Sequence, residues 1–273
     1  MTLRGRAALV LLAAALAGCR TGRNYDAPHV VRHAGAAPDG GARPMERGTP
    51  DALRVVSFNI AFARRVDAAI ALLSTHPALR GADVVLLQEM TGEATRRVAE
   101  ALRLHYVYYP AIYHRRARQD FGNAVLSRWP IVADARLVLP HPSRYAGTQR
   151  TATAATLRVG DVDVRVYSTH LGTPADVGAR GRRAQLRAVL ADAAPHARVI
   201  LGGDLNDRAV GRVARDAGYA WPTERGPRTT RFGRWDHVFL RGLASPADSA
   251  AGTVREARGI SDHVPIWAVA RLR

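Results

Sequence analysis

The sequence predicts an α/β (α+β) domain in which two mixed, largely antiparallel β-sheets pack face to face with helices outside. Three observations point there. From residue 53 onward, short β-branched runs alternate with amphipathic stretches and no internal repeat is present. Arg158-Val159-Gly160-Asp161-Val162 joins two apolar segments around a Gly-Asp turn, a hairpin that argues against a doubly wound parallel sheet. Runs of strands mixed with a few helices fit paired sheets under helical layers.

In chain order, the strands are expected at 53–58, 83–87, 105–109, 122–127, 152–158, 162–169, 197–202, 235–240 and 264–272. Each is a short run rich in apolar and β-branched residues, such as Val84 to Leu87 or Val199-Ile200-Leu201. The helices are expected at 63–74, 92–102, 180–193 and 208–216. In 180–193, Ala184, Leu186, Val189 and Leu190 form an apolar face between Arg183, Gln185 and Arg187, suited to lie on a sheet. The stretches 110–121, 139–150 and 219–234 read as loops.

The first residues read as a leader. Arg4 and Arg6 precede an unbroken apolar run of eleven residues, Ala7 to Ala17, too short to cross a bilayer as a permanent helix. The run ends in Leu16-Ala17-Gly18-Cys19, which resembles the lipobox of bacterial lipoproteins, so 1–19 is expected to be a lipoprotein signal peptide and Cys19 the lipidation site. Residues 20–52, rich in Gly, Ala, Pro and charge, read as a flexible tether to a catalytic domain at 53–273. The expected location is the cell envelope, facing the periplasm or on the outer membrane, as a lipid-anchored monomer. Cys19 is the single cysteine, so disulfides contribute nothing and stability must come from the core. Net charge is +17 and every basic residue is Arg. A polyanion-attracting surface and a general Arg-rich composition both accommodate that charge.

The chemistry lies at the strand ends. Asn59, Gln88-Glu89, His170, Asp204 with Asn206, Asp236 and Asp262-His263 each adjoin an apolar run. Gly202-Gly203 lets backbone approach closely just before Asp204. A carboxylate beside a carboxamide suits an activated water, with Asp204 taking the proton and Asn206 donating without adding charge. Glu89 closes an apolar strand that has no need of a charge, which makes it the principal candidate ligand for a hard cation such as Mg²⁺, with Asn59 and Asp262 beside it. His263 needs an orienting partner, and Asp236 is the candidate. His170 is placed to protonate a leaving oxygen or donate to a phosphate. His237 reads as structural.

Taken in order, Asn59, Gln88-Glu89, Gly122-Asn123-Ala124-Val125-Leu126-Ser127-Arg128, Thr169-His170-Leu171, Gly203-Asp204-Leu205-Asn206, Asp236 and Ser261-Asp262-His263 resemble the endonuclease/exonuclease/phosphatase superfamily. The resemblance spans 53–273 and implies a four-layer α/β sandwich with its site at one edge of the two sheets and Mg²⁺ or Mn²⁺ as cofactor. It further implies Glu89, Asn59 and Asp262 on the metal side, with Asp204 and Asn206 on the water and phosphate. Asp236 and His263 match a hydrogen-bonded catalytic pair, and His170 matches the His of the nuclease and sphingomyelinase branches. Arg150 resembles an Arg that contacts the scissile phosphate, and Asp120 is the nearest carboxylate to support His170. The expected activity is metal-dependent hydrolysis of a phosphodiester, nuclease-type, with nucleic acid or a phospholipid head group as substrate. A sphingomyelinase- or phospholipase C-like activity, a phosphomonoesterase and a degenerate anion-binding module are the alternatives.

Overall fold

Side-chain alternation along the strands decides the architecture. In β4 (Val84–Met90), Val84 and Leu86 point into one apolar core while Val85 and Leu87 point into another. The computed structural model describes residues 22–25, 31–38, 50–246 and 250–272. Its other strands are β1 (Gly22–Asn24), β2 (His33–Gly35), β3 (Ala52–Asn59), β5 (His105–His114), β6 (Gln119–Ser127), β7 (Ile131–Val138), β8 (Thr151–Val159), β9 (Val162–His170), β10 (Val199–Asp204), β11 (Asp236–Arg241), β12 (Ala251–Thr253) and β13 (Ile266–Arg271). The helices are α1 (Val66–Thr75), α2 (Gly92–Leu102), α3 (Ala179–Ala193) and α4 (Gly211–Asp216).

Among the described residues, the first sheet has eight strands in the order β1-β5-β6-β4-β3-β13-β12, with β2 also on β5. The second has five, ordered β11-β10-β9-β8-β7. Pairs β3–β4 and β9–β10 are parallel and the rest antiparallel. Between the sheets lies a core that includes Val55, Leu86, Val125, Leu157, Val166, Ile200 and Val238. Outside the first sheet, Phe58 and Leu87 pack on Leu73 and Val98 of α1 and α2. Outside the second, Tyr167, Leu201 and Phe239 pack on Leu186 and Val189 of α3 and Ala214 of α4. The result is the expected four-layer sandwich.

Topology then gathers the strand ends. The parallel pairs end together at Asn59 beside Gln88, and at His170 beside Asp204. The antiparallel neighbour β11 starts at that edge, with Asp236 opposite Asp204. Strand β13 starts there too, with Ile266 opposite Ser57, so the preceding Asp262 and His263 reach the same edge. Buried polar pins fix the two sheets against each other at this place. Gln88 Nε2 donates to Ser168 Oγ at 3.0 Å, and Asn123 Nδ2 donates to Thr151 O at 2.7 Å.

Several expectations are corrected. The 110–121 stretch is not a loop: β5 and β6 run through it as one long hairpin, because Ala111, Ile112 and Phe121 bury one another. Strands β7 and β12 carry no clear alternation because both are edge strands with little buried surface. Residues 20–52 are not a tether throughout. Gly22–Asn24 and His33–Gly35 are strands, stabilised by the open edge of β5 rather than by any pattern of their own. Cys19 and the rest of the leader lie outside the described residues.

His237 is fully buried and neutral. Trp221 Nε1 donates to its Nδ1 at 3.1 Å, its Nε2 lies 3.0 Å from Arg234 O, and burial holds its pKa down to about 4. An unfolded His takes up its proton near pH ~6.5, so this residue's stabilisation is complete above that pH and lost as the pH falls through about 4. Urea unfolding at pH 7 and pH 5 is expected to show a loss of about 2 kcal/mol that His237→Gln removes from the pH difference.

Candidate active site

The site is built around Asp204, which is 1% exposed at the seam between the sheets. Gly203 makes its position possible. With φ +142° it presses against β9 so closely that a Cβ would sit 1.9 Å from Thr169 O. Asp204 Oδ1 accepts from Asn206 N at 2.8 Å, and Oδ2 lies 3.2 Å from Asn59 Nδ2, 3.2 Å from His170 Nε2 and 3.5 Å from His263 Nε2. Burial pushes its pKa up to about 7, against the pull of the His263 charge. Three groups, from the ends of β3 and β9 and from the approach to β13, thus converge on one carboxylate oxygen.

His263 is held by the acids on either side. Its Nδ1 meets Asp236 Oδ2 at 2.8 Å. Burial alone would lower its pKa, but Asp236 and Asp204 outweigh it and raise the imidazole to about 10, so it stays charged at neutral pH. His170 has the opposite fate. Burial, Arg150 and His263 drive its pKa well down, and its Nδ1 has no hydrogen-bond partner among the described residues. One imidazole is a fixed proton donor and the other a neutral ring.

Glu89 reaches the edge through a break in its own strand. Alternation would turn it toward the helices with Val85 and Leu87, but a bulge between Leu87 and Met90 gives that face to Met90. Glu89 itself takes φ +60°, a left-handed conformation that costs a bulky residue about 1–2 kcal/mol. Its Oε1 accepts from Asn59 Nδ2 at 3.2 Å and its Oε2 from Phe62 N at 3.0 Å. The turn Ala61–Ala63 is also left-handed throughout, and Asn59 Oδ1 holds its first amide at 3.1 Å. Strained backbone here is fixed by the polar groups it positions.

A cleft of about 340 Å³ opens over these residues, lined by Glu89, Arg150, His170, Asp204, Asn206, Asp262 and His263. Asp236 and Asn59 stand behind it. Asp262 is exposed at the rim. Asn206, in a left-handed conformation and not extended, spends one amide hydrogen on Leu171 O at 2.9 Å. Arg150 sits over the Phe121 ring at 5.6 Å, and its buried Nη1 has no partner among the described residues.

Oxygen donors suited to a hard cation flank one side of this cleft. Burial raises the Glu89 pKa, and among the described residues it pairs with no arginine; the neutral His170 places Nδ1 3.9 Å from Oε1. A divalent ion between Glu89 and Asp262 would supply the missing charge. Asn59 turns its nitrogen to both carboxylates and so braces them, while its oxygen accepts from Ala61 N with one lone pair. Asp204, Asp236 and His263 also place ligand atoms within 4.8 Å of one another. With His263 charged between two carboxylates, that cluster must release a proton before the imidazole can ligate.

Asp120 does not support His170, because its carboxylate takes the Tyr25 hydroxyl instead. The ring of Phe121, 5.8 Å away, lies beside His170. Sequence reading missed Phe62, Phe121 and Trp235, the aromatic walls of the cleft, although the latter two adjoin Gly122 and Asp236. It also missed Gln185, which is buried on α3 and ties Gly172 N to the carbonyls of Pro140 and His141. Its spacing from Leu186 and Val189, which puts it on the buried side of α3, was the available signal.

The endonuclease/exonuclease/phosphatase family model matches residues 56–263. The chain belongs to that family. Its members are phosphoesterases and nucleases, hydrolases that act on phosphate esters and typically depend on a divalent metal. No curated protein matches the chain significantly. The endonuclease/exonuclease/phosphatase structure from Beutenbergia cavernae DSM 12333 is similar at a TM-score of 0.66 and 23% identity, over 82% of this chain and 72% of that one. The human Nocturnin catalytic domain with bound sulfate anion gives 0.62 and 18%, over 83% and 96%. D. rerio TDP2 complexed with single strand DNA product gives 0.63 and 18%, over 81% and 100%. At these identities the likeness is one of fold.

Because the approach at Gly203 leaves no room for a methyl group, Gly203→Ala must force β10 away from β9. It is expected to lower the urea unfolding free energy by at least about 2 kcal/mol, whereas Gly218→Ala, with nothing within 4 Å, costs less despite its φ of +84°.

Proposed function

We propose that this chain is a divalent-metal-dependent phosphodiesterase that hydrolyses its substrate by in-line attack of water. The observation that carries the reading is the meeting of Asn59, His170 and His263 on a buried Asp204 with a pKa near neutrality. A carboxylate poised there takes a proton from water more readily than an ordinary Asp, and it is already oriented. Asp204 positions and deprotonates the water, and Asn206 donates its remaining amide hydrogen to the water or a phosphate oxygen. His263, kept charged by Asp236, donates to the phosphoryl oxygens as negative charge builds there. Arg150, which lines the cleft with an unpartnered Nη1 among the described residues, adds a second donor. His170, neutral and in contact with Asp204, holds that carboxylate's orientation and lies in reach of the leaving oxygen.

Glu89 and Asp262 would hold Mg²⁺ or Mn²⁺, which when bound supplies Lewis-acid stabilisation of the phosphate. Within this reading Cys19 is the lipidated end of a cell-envelope protein, so nucleic acid and phospholipid head groups are both within reach as substrates. The likeness to TDP2, whose structure holds a single strand DNA product, favours nucleic acid.

Hydrolysis of bis(p-nitrophenyl) phosphate is expected to require Mn²⁺ or Mg²⁺ and to stop in excess chelator. Asp204→Ala and His263→Ala should each lower kcat by about 10³-fold with folding intact. Full activity in either variant, or in chelator, would remove the proposal. Plasmid DNA, RNA, sphingomyelin and a phosphomonoester assayed side by side then assign the substrate class.

A further inference from the structure

A second surface feature adjoins the cleft and has no part in the chemistry above. Strand β1 is fastened to the cleft wall: a Cβ at Gly22 would meet Ile112 Cδ1 at 2.8 Å and Thr148 Cγ2 at 2.9 Å, and both residues line the cleft. Asn24 clamps the 143–150 loop, donating to Gly147 O and accepting from Gln149 N, both at 2.9 Å. Beside this clamp runs an open groove of about 490 Å³, lined by Arg23, Arg115, Arg144 and Tyr145. It shares Ala146 with the cleft. Arg116 and Arg118 stand exposed at the same hairpin tip as Arg115.

None of these five arginines forms an ion pair among the described residues, whereas Arg32, Arg97, Arg128, Arg158 and Arg182 each have a carboxylate partner. Unpaired guanidinium groups around an aromatic residue that is 61% exposed match the chemistry of an anionic bilayer surface. Chain length selects that occupant over nucleic acid. Gly22 follows Cys19 by three positions, a reach of about 10 Å, so a lipid on Cys19 would hold this rim at the membrane.

We propose that the rim formed by Arg23, the Arg115–Arg118 hairpin tip and the Arg144-Tyr145 turn rests on an anionic lipid surface, with the cleft opening beside it. The full chain carrying Cys19→Ala is sedimented with phosphatidylcholine vesicles and with vesicles containing about one quarter phosphatidylglycerol. The neutral vesicles set the baseline for the apolar Ala7–Ala17 run. Binding is expected to rise with phosphatidylglycerol and to lose that rise in high salt. The combined Arg23→Glu, Arg115→Glu and Arg144→Glu changes should lower the rise about a hundredfold, at roughly tenfold or less per arginine, with bis(p-nitrophenyl) phosphate hydrolysis unchanged. Arg116→Glu with Arg118→Glu is the second variant, should the first fail to fold. A rise that survives in the folded variant overturns the proposal. So does a variant that loses binding to a single-stranded oligonucleotide while keeping the vesicle rise. Loss of hydrolysis by the parent chain would count against the catalytic reading and leave the rim untouched.

Discussion

A carboxylate buried between two sheets is the constraint on which the rest depends. Asp204 sits where apolar packing alone would exclude a charge, and it stays because two imidazoles and two amides surround it. Those partners in turn need partners. Asp236 fixes His263, Glu89 and Asp204 share the nitrogen of Asn59, and the Ala61–Ala63 turn is held by Asn59 and Glu89. Each member is costly alone and tolerable in company.

The fold supplies that company through strand direction. Two parallel pairs, one in each sheet, deliver their C-terminal ends to a common edge, and the antiparallel neighbours β11 and β13 begin there. Facing sheets could slide past one another on an apolar interface. The pins from Gln88 to Ser168 and from Asn123 to Thr151 give that interface a fixed register beside the site. Net acidity within the cleft remains unbalanced: Asp204 and Glu89 are both raised by burial, and Arg150 and His263 are the cations nearest them. That surplus of oxygen donors is the physical case for a bound dication.

Much of this was legible in the sequence. Strands β3, β4, β8, β9, β10 and β11 announce themselves because they are buried and apolar, and their polar ends stand out against that background. Edge strands such as β7, with Val132 and Val138 exposed, lack that contrast. Strands β1 and β2 were illegible for another reason, since their ladder is supplied by β5, far away in the chain. At the site, residue types were readable and orientations were not. A bulge turns Glu89, the Ala61 amide claims the oxygen of Asn59, and Tyr25 takes Asp120 away from His170. Each depends on contacts that no local pattern encodes.

The most direct test of the account is the melting temperature with and without Mn²⁺ for the native chain, Glu89→Gln and Asp236→Asn. A cation relieving the acidic surplus at Glu89 stabilises the native protein by about 2.7 kcal/mol at a hundredfold excess over Kd. The melting temperature of the native chain and of Asp236→Asn should then rise with Mn²⁺, and that of Glu89→Gln should not. A full rise in Glu89→Gln together with its loss in Asp236→Asn would move the metal to the Asp204, Asp236 and His263 cluster and contradict the account.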